Sequence, residues 1–167
     1  RVGRAGFNDQ ATGFVATKWG PIRLKVGRDR YVWGSSFEQP LSLSPQNEPF
    51  DLVDLRFQLK KVQLSYFHAT LLGSDTARYL VGHRLDFSIW KRFRFGFYET
   101  LVYGDRQVQF GYLNPLLPFH IMEHQYGDRD NNTFGVDFVW LPGGGFRLDG
   151  EIFVDDLNLS EPITSYW

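Results

Sequence analysis

Apolar and polar residues alternate along most of this chain, in runs separated by turn-forming residues. The clearest run places Val53, Leu55, Phe57 and Leu59 in one row and Asp54, Arg56, Gln58 and Lys60 in the other. Successive side chains of a strand point to opposite faces, so the run predicts a strand with one apolar and one charged face. Several runs reach roughly the 9–11 residues that a tilted strand needs to cross a bilayer. The sequence therefore predicts an all-β chain with strands long enough to span a membrane.

Short turns and long loops alternate between the predicted strands. The tight turns are predicted at 20–21, 60–61, 91–92 and 142–145. The segment 29–50 is predicted to be a long loop, because it is rich in Ser, Pro, Gln and Asn. The alternation breaks near 113–126, which predicts a short helix or a packed loop. We expect about ten strands, including a short one near 107–112. Their connections are alternately short and long, as is typical of outer-membrane barrels.

These features favour an antiparallel transmembrane β-barrel over a soluble barrel or sandwich. Bulky apolar residues fill one row of nearly every strand, and formal charges recur in the opposite row. We expect Phe57, Phe95 and Phe138 to face lipid, while the charged row lines a wet interior. A soluble barrel would alternate in the same way, with its charged row in water. Residues 1–167 are interpreted as a single barrel domain or barrel segment.

The amino-acid composition limits the classes of function that we expect for this chain. Aromatic residues make up 17% of the chain, and they favour strands and membrane interfaces. The formal net charge of -1 gives no overall field to attract nucleic acid, so no such partner is expected. The lack of cysteine excludes disulfides and thiolate metal sites, and no apolar run approaches the roughly 18 residues of a membrane helix. Because the chain opens on Arg1 without a signal peptide, we expect a processed or partial segment of a longer polypeptide.

Several motifs between about residues 20 and 157 match one known family in the same order along the chain. They are Gly27–Gly34 with Leu41–Ser44 and Pro49-Phe50, Arg78-Tyr79-Leu80 with His83-Arg84-Leu85, Glu99 in Tyr98-Glu99-Thr100, Tyr112–Pro118, and Glu123-His124 with Gly127–Asn131. With these motifs the chain resembles the Wzi-type capsule-assembly outer-membrane β-barrel proteins. Members of that family are considerably longer, so the strands here are expected to form part of a larger barrel wall.

The resemblance implies a place in the bacterial outer membrane, with its lipid as a partner. It also implies a lectin-like role, in which surface or capsular polysaccharide is bound or anchored without catalysis. No cofactor is expected. Two alternatives stay open: a structural barrel subunit of a larger envelope complex with protein partners, and a channel for small solutes.

The first candidate polysaccharide-binding residues lie at the start of the long loop. They are Arg28, Asp29, Arg30, Tyr31 and Trp33. Guanidinium groups pair bidentately with carboxylates such as those of sugar acids, and aromatic rings offer apolar faces to sugar rings. The alternative is that Arg28, Asp29 and Arg30 form a structural network inside a polar barrel interior.

His83, Arg84 and Glu99 complete the candidate polysaccharide-binding set. Glu99 lies in an apolar row, where a carboxylate that faces lipid is costly. A β-bulge would turn it inward, since bulges often re-aim functional side chains. Alternatively, Glu99 and His83 mark the level at which their strands leave the bilayer.

The break near 113–132 contains a second set, expected to form a loop network. Its members are Asn114, Glu123, His124, Asp128, Asp130 and Asn131. The run from His120 to His124 matches the H-x-x-E-H pattern of some zinc proteases, which also needs a regular helix and a distant third ligand. No other part of the chain is predicted to form a helix that would support such a zinc site. The run of Asp and Asn residues at 128–132 lacks the ligand spacing of a calcium-binding loop. We therefore predict no metal site, with Glu123 and His124 hydrogen-bonded to the 128–132 turn.

Overall fold

The computed structural model describes residues 11–35, 40–71 and 76–155. It contains strands β1 (Gly13–Trp19), β2 (Ile22–Asp29), β3 (Phe50–Leu59), β4 (Val62–Leu71), β5 (Arg78–Trp90), β6 (Phe93–Gly104), β7 (Asn131–Gly143) and β8 (Phe146–Asp155). A 3₁₀ helix, Phe110–Leu113, and the α-helix α1, Phe119–Tyr126, lie between β6 and β7. All eight strands form one antiparallel sheet in chain order. The predictions of an all-β chain and of a short helix near 113–126 are confirmed.

The predicted number of strands is too high for the ranges that the structure describes. The expected strand at 107–112 is wrong, because this stretch turns into the 3₁₀ helix: the Tyr112 N–H donates to Gln109 O and the Asn114 N–H to Gly111 O. Pro115 then keeps Asn114 extended and ends the turn.

The sheet is not closed into a barrel. Each pairing joins strands that follow one another in the chain, and none joins β8 back to β1 in the described ranges. Both edge strands therefore carry backbone groups on their outer side that no other strand of this sheet uses. The tight connections fall at the predicted places, so one end of the sheet carries only short turns. We call this the turn end, and the opposite end, with the long connections, the loop end.

Register puts large apolar residues from all eight strands side by side. The row runs across the sheet from β1 to β8 through Trp19, Ile22, Phe57, Leu64, Leu85, Phe97, Val136 and Ile152. We call this side the apolar face. The adjacent row, on the other side, is Lys18, Arg23, Arg56, Ser65, Arg84, Tyr98, Gly135 and Phe153, and this side is the polar face.

The apolar face is largely open. Phe138 is 39% exposed and Ile152 is 63% exposed, while Phe57 and Phe95, on the same face, are half-buried. The buried clusters lie elsewhere, one on the polar face around Trp33 and one at the loop end of the apolar face around Tyr112. In the part of the chain that the structure describes, no helix is long and apolar enough to cross a membrane.

Candidate functional site

Charged side chains on the polar face form ion pairs, some within one strand and one between β5 and β7 across β6. The Arg84 guanidinium lies between two carboxylates, 2.5 Å from Asp137 Oδ2 and 2.7 Å from Asp86 Oδ1. Arg84 and Asp137 are both buried, and a buried charge is tolerated only when it is paired and hydrogen-bonded. On β3, Arg56 Nη2 lies 3.0 Å from Asp54 Oδ2. These pairs make the polar face a network of fixed charges.

Aromatic rings from the long loop lie against this network. Lys25 Nζ and the Arg56 guanidinium lie 5.5 and 5.7 Å from the Tyr31 ring centre, within range of cation–π attraction. Burial raises the pKa of the Tyr31 hydroxyl above its ordinary value, and the negative charge of Asp54 raises it further. Tyr31 therefore stays a neutral phenol at any physiological pH.

The long loop folds back over the middle of the polar face. Trp33 forms an isolated β-bridge with Leu43, and its ring meets the Phe67 ring edge-on with centres 4.9 Å apart. Gly82 makes room for both rings, because a Cβ atom there would lie 2.6 Å from Phe67 and 2.7 Å from Trp33. The described parts of the loop thus cover the sheet instead of extending away from it.

Hydrogen bonds to β8 hold the far side of the loop. Ser35 Oγ donates to Gly150 O at 2.9 Å, and the Leu41 N–H donates to Glu151 Oε2 at 2.9 Å. The other oxygen of Glu151 accepts from the Tyr98 hydroxyl at 2.6 Å. Because the Ser35 and Leu41 contacts join the loop to residues of β8 more than a hundred positions further along, no local pattern in the sequence indicates them.

The first predicted binding set is divided by the strand alternation. Arg28 lies on the side of the apolar row and pairs with Asp51 at 3.2 Å, whereas Asp29 lies on the polar face and accepts from Lys25 at 3.0 Å. Tyr31 and Trp33 are 2% and 6% exposed, and other rings cover their faces. Arg30, whose N–H donates to Asp29 Oδ1, is exposed. Sugar binding by this set stays a prediction.

The expected bulge at Glu99 is wrong. The β5–β6 register is regular through the His83–Glu99 pair, and its one irregularity lies at Ser88–Trp90. Glu99 remains on the apolar face because it finds polar partners there. It is 1% exposed, and its carboxylate oxygens lie 2.8 Å from His83 Nε2 and 2.8 Å from Asn132 Nδ2.

Glu99 also binds the first turn of α1. The N–H groups of Phe119 and His120 donate to its two oxygens at 2.9 and 2.6 Å. The first N–H groups of a helix lack partners within the helix, and the residue before α1, Pro118, makes no side-chain cap. A negative charge at this end is favourable for the helix dipole. Glu99 is thus a cap supplied by a neighbouring strand, and it fixes α1 on the apolar face.

The predicted loop network is only partly connected. Asp130 accepts from the Tyr112 hydroxyl at 2.6 Å and pairs with the Arg106 guanidinium. Burial and, after it, the Asp130 hydrogen bond raise the pKa of Tyr112, which therefore stays a donor. Asn114 accepts from the Leu116 N–H in a local turn, and Asn131 begins β7.

The histidine motif lies on α1 without a third ligand. His120 Nε2 and His124 Nε2 are 3.1 Å apart, while Glu123 is buried and His124 Nδ1 lies 3.6 Å from Asp128. Within the described ranges, no group of three or more His, Asp or Glu side chains could hold a metal ion.

A cationic cleft of about 470 Å³ opens at the loop end. We define it by Arg78, Arg106 and Arg129, with Asp105 and Asp130 on its wall. Asp130 is already engaged by Arg106, whereas Arg78 and Arg129 are exposed and have no hydrogen bond or ion pair in the described residues. Sequence reasoning missed this cleft, because its arginines come from the start of β5, the connection just after β6 and the turn before β7.

Tryptophans mark the turn end of the apolar face. Trp19, Trp90 and Trp140 all lie beside a tight turn, on the same side as the apolar row, and all three are exposed. Tyr66, Tyr79 and Tyr103 lie on the same side near the loop end. Aromatic residues therefore border the open apolar surface at both ends.

No protein-family model, no curated protein and no solved structure matches this chain significantly. The resemblance to Wzi-type proteins therefore depends on the sequence motifs alone.

Proposed function

We propose that this chain is a wall segment of an outer-membrane β-barrel of the capsule-assembly type, which binds or anchors surface polysaccharide without catalysis. The observation that supports the proposal best is the apolar row, which has a large apolar side chain on each of the eight strands. Contiguous apolar surfaces of this kind are rare on soluble monomers, whereas hydrocarbon covers them in membrane barrels.

Two other features agree with this location. Exposed Trp residues at the turn end have the position of an aromatic belt, where one side of the ring meets lipid and the other meets water. The paired charges of the polar face suit a hydrated interior.

The cationic cleft supports the binding of a glycan. Long loops of outer-membrane barrels lie on the outside of the cell, and the cleft is at the loop end. Arg78 and Arg129 would bind a carboxylate on a sugar, since guanidinium–carboxylate pairs are strong and directional. Arg106, held by Asp130, would keep the cleft positive without being the main contact.

The test compares an acidic oligosaccharide with its neutral form. The probe is oligogalacturonate, and the reference is its methyl ester, which has the same backbone without charge. We expect the protein to retain the acid and release the ester. The double variant Arg78→Ala/Arg129→Ala should weaken binding by at least about tenfold for each lost guanidinium, because a charged hydrogen bond contributes about 1.5–3 kcal/mol.

Arg23→Ala is the matched control. Arg23 is also an exposed arginine without a hydrogen bond or ion pair in the described residues, but it lies beside the turn 20–21, at the other end of the sheet. Equal retention of acid and ester, or equal weakening by the control and the double variant, would contradict recognition at the cleft.

A structural subunit of a larger envelope complex is the second candidate, and the two sheet edges favour it, since no further strand pairs with them among the described residues. A stable protein partner recovered from detergent extracts, together with no retention of either oligosaccharide, would support this function over glycan binding. The long loop on the polar face counts against a wide channel for solutes. Steady current across planar bilayers containing the protein would reverse that conclusion.

A further inference from the structure

The connection between β6 and β7 has an unusual composition. From Gln107 to Met122 it contains no Asp, Glu, Lys or Arg, although charged residues make up 22% of the chain. It includes the 3₁₀ helix and the first half of α1. We call residues 107–122 the β6–β7 segment.

The β6–β7 segment is fixed on the apolar face by buried contacts. Tyr112 is fully buried, with its ring centre 5.0 Å from that of Tyr103, and its carbonyl accepts from the Tyr66 hydroxyl at 2.9 Å. Phe119 stacks on His83 at 4.3 Å. Together with the Glu99 hydrogen bonds, these contacts give the segment a defined position and a defined outer side.

That outer side is mainly apolar. Its exposed apolar residues are Val108, Phe110, Leu113, Leu116, Leu117 and Ile121. Gln107, Asn114 and Pro118 are exposed as well, and none of the three carries a formal charge. Phe110 is 86% exposed and Leu116 74%, although both are side chains that folding normally removes from water. The segment thus buries one set of apolar residues against the sheet and presents a second set outward.

We propose that the β6–β7 segment is a lipid-embedded collar, which inserts Phe110, Leu116 and Ile121 into the leaflet at the loop end. The proposal rests on the membrane location proposed above. The occupant is lipid, because the outer side of the segment lies on the same side of the sheet as the apolar row and carries no formal charge that would mark a polar partner. The collar also lies over Glu99, and so keeps that carboxylate away from hydrocarbon.

Depth-dependent quenching tests the proposal, and the lack of cysteine allows single labels. Leu116→Cys reports on the collar, Ile152→Cys on the apolar face of the sheet and Arg94→Cys on the polar face. Each variant is labelled with bimane and reconstituted into phosphatidylcholine vesicles with or without acyl-brominated lipid. We expect a loss of emission at position 116 comparable with that at position 152, and none at position 94.

The outcomes separate the collar from the membrane proposal. Quenching at 152 without quenching at 116 would overturn the collar and leave the membrane location standing. Absence of quenching at both positions would overturn both. A second measurement is the fraction of protein that floats with vesicles in a density gradient. The double variant Phe110→Asp/Leu116→Asp should reduce this fraction, whereas the control Gln107→Asp/Gln125→Asp should not. Equal flotation of the two double variants would also overturn the collar.

Discussion

Glu99 is a carboxylate that the fold keeps buried on the apolar face. It lies in an otherwise apolar row, and its two oxygens have four nitrogen partners within 2.9 Å. A buried carboxylate with so many donors is a structural group, because each donor would lose its partner if the charge were removed.

Glu99→Gln tests this role. The substitution keeps the size but replaces one acceptor oxygen by a donor, so at least one backbone N–H at the start of α1 is left unpaired. We expect a loss of about 1–3 kcal/mol in the free energy of unfolding, measured by urea titration. Glu48→Gln, at an exposed glutamate, is the control. Equal stability of the two variants would contradict the capping role.

The sequence identified Glu99 and His83 as interruptions of their rows, and this was correct. It did not identify their partners, because the capping N–H groups come from α1, some twenty residues further along the chain. Alternation reports which face a side chain takes, but not what another part of the chain places above it. The same reason explains why Tyr31 and Trp33 were predicted to be open to a sugar.

At the scale of elements, the long loop is held on the polar face by a close fit at Gly82. A Cβ atom at this position would overlap the rings of Phe67 and Trp33. Gly82→Ala should therefore push the loop away from the sheet, at a cost of about 1–3 kcal/mol typical of overpacking. We expect faster chymotrypsin cleavage between residues 30 and 49.

Gly13→Ala is the control for this prediction, since no atom lies within 4 Å of a Cβ atom built there. Unchanged cleavage in Gly82→Ala would mean that the loop does not depend on this contact. The close approach was not predictable, because glycine in a strand pattern indicates that something approaches but does not say what.

At the scale of the whole molecule, periodicity predicted the strands, the tight turns and the two faces. The prediction succeeded because each depends on residues that are close in sequence. Whether the sheet closes could not be decided from the sequence, since closure depends on whether the first and last strands meet, and the described strands form an open sheet. The cationic cleft was missed for a similar reason: its arginines are brought together by topology and not by spacing.

A charge on the apolar face tests the environment of the molecule. Leu85→Arg places a guanidinium in the apolar row, whereas Gln58→Arg places one on the polar face. If lipid covers the apolar face, Leu85→Arg should destabilise the protein folded in vesicles by about 2–4 kcal/mol near the bilayer midplane. Gln58→Arg should change it little. The same small effect at both positions would indicate that water or protein, and not hydrocarbon, meets Leu85.

Within the described residues, no strand pairs with the outer sides of β1 and β8, and this has a consequence for how the chain would enter a membrane. Hydrocarbon offers no donors or acceptors, so a strand cannot leave its amide groups bare there. If the chain enters a bilayer, as proposed above, its entry must therefore be coupled to the pairing of β1 and β8 with further strands, supplied by other copies or by the rest of a barrel wall.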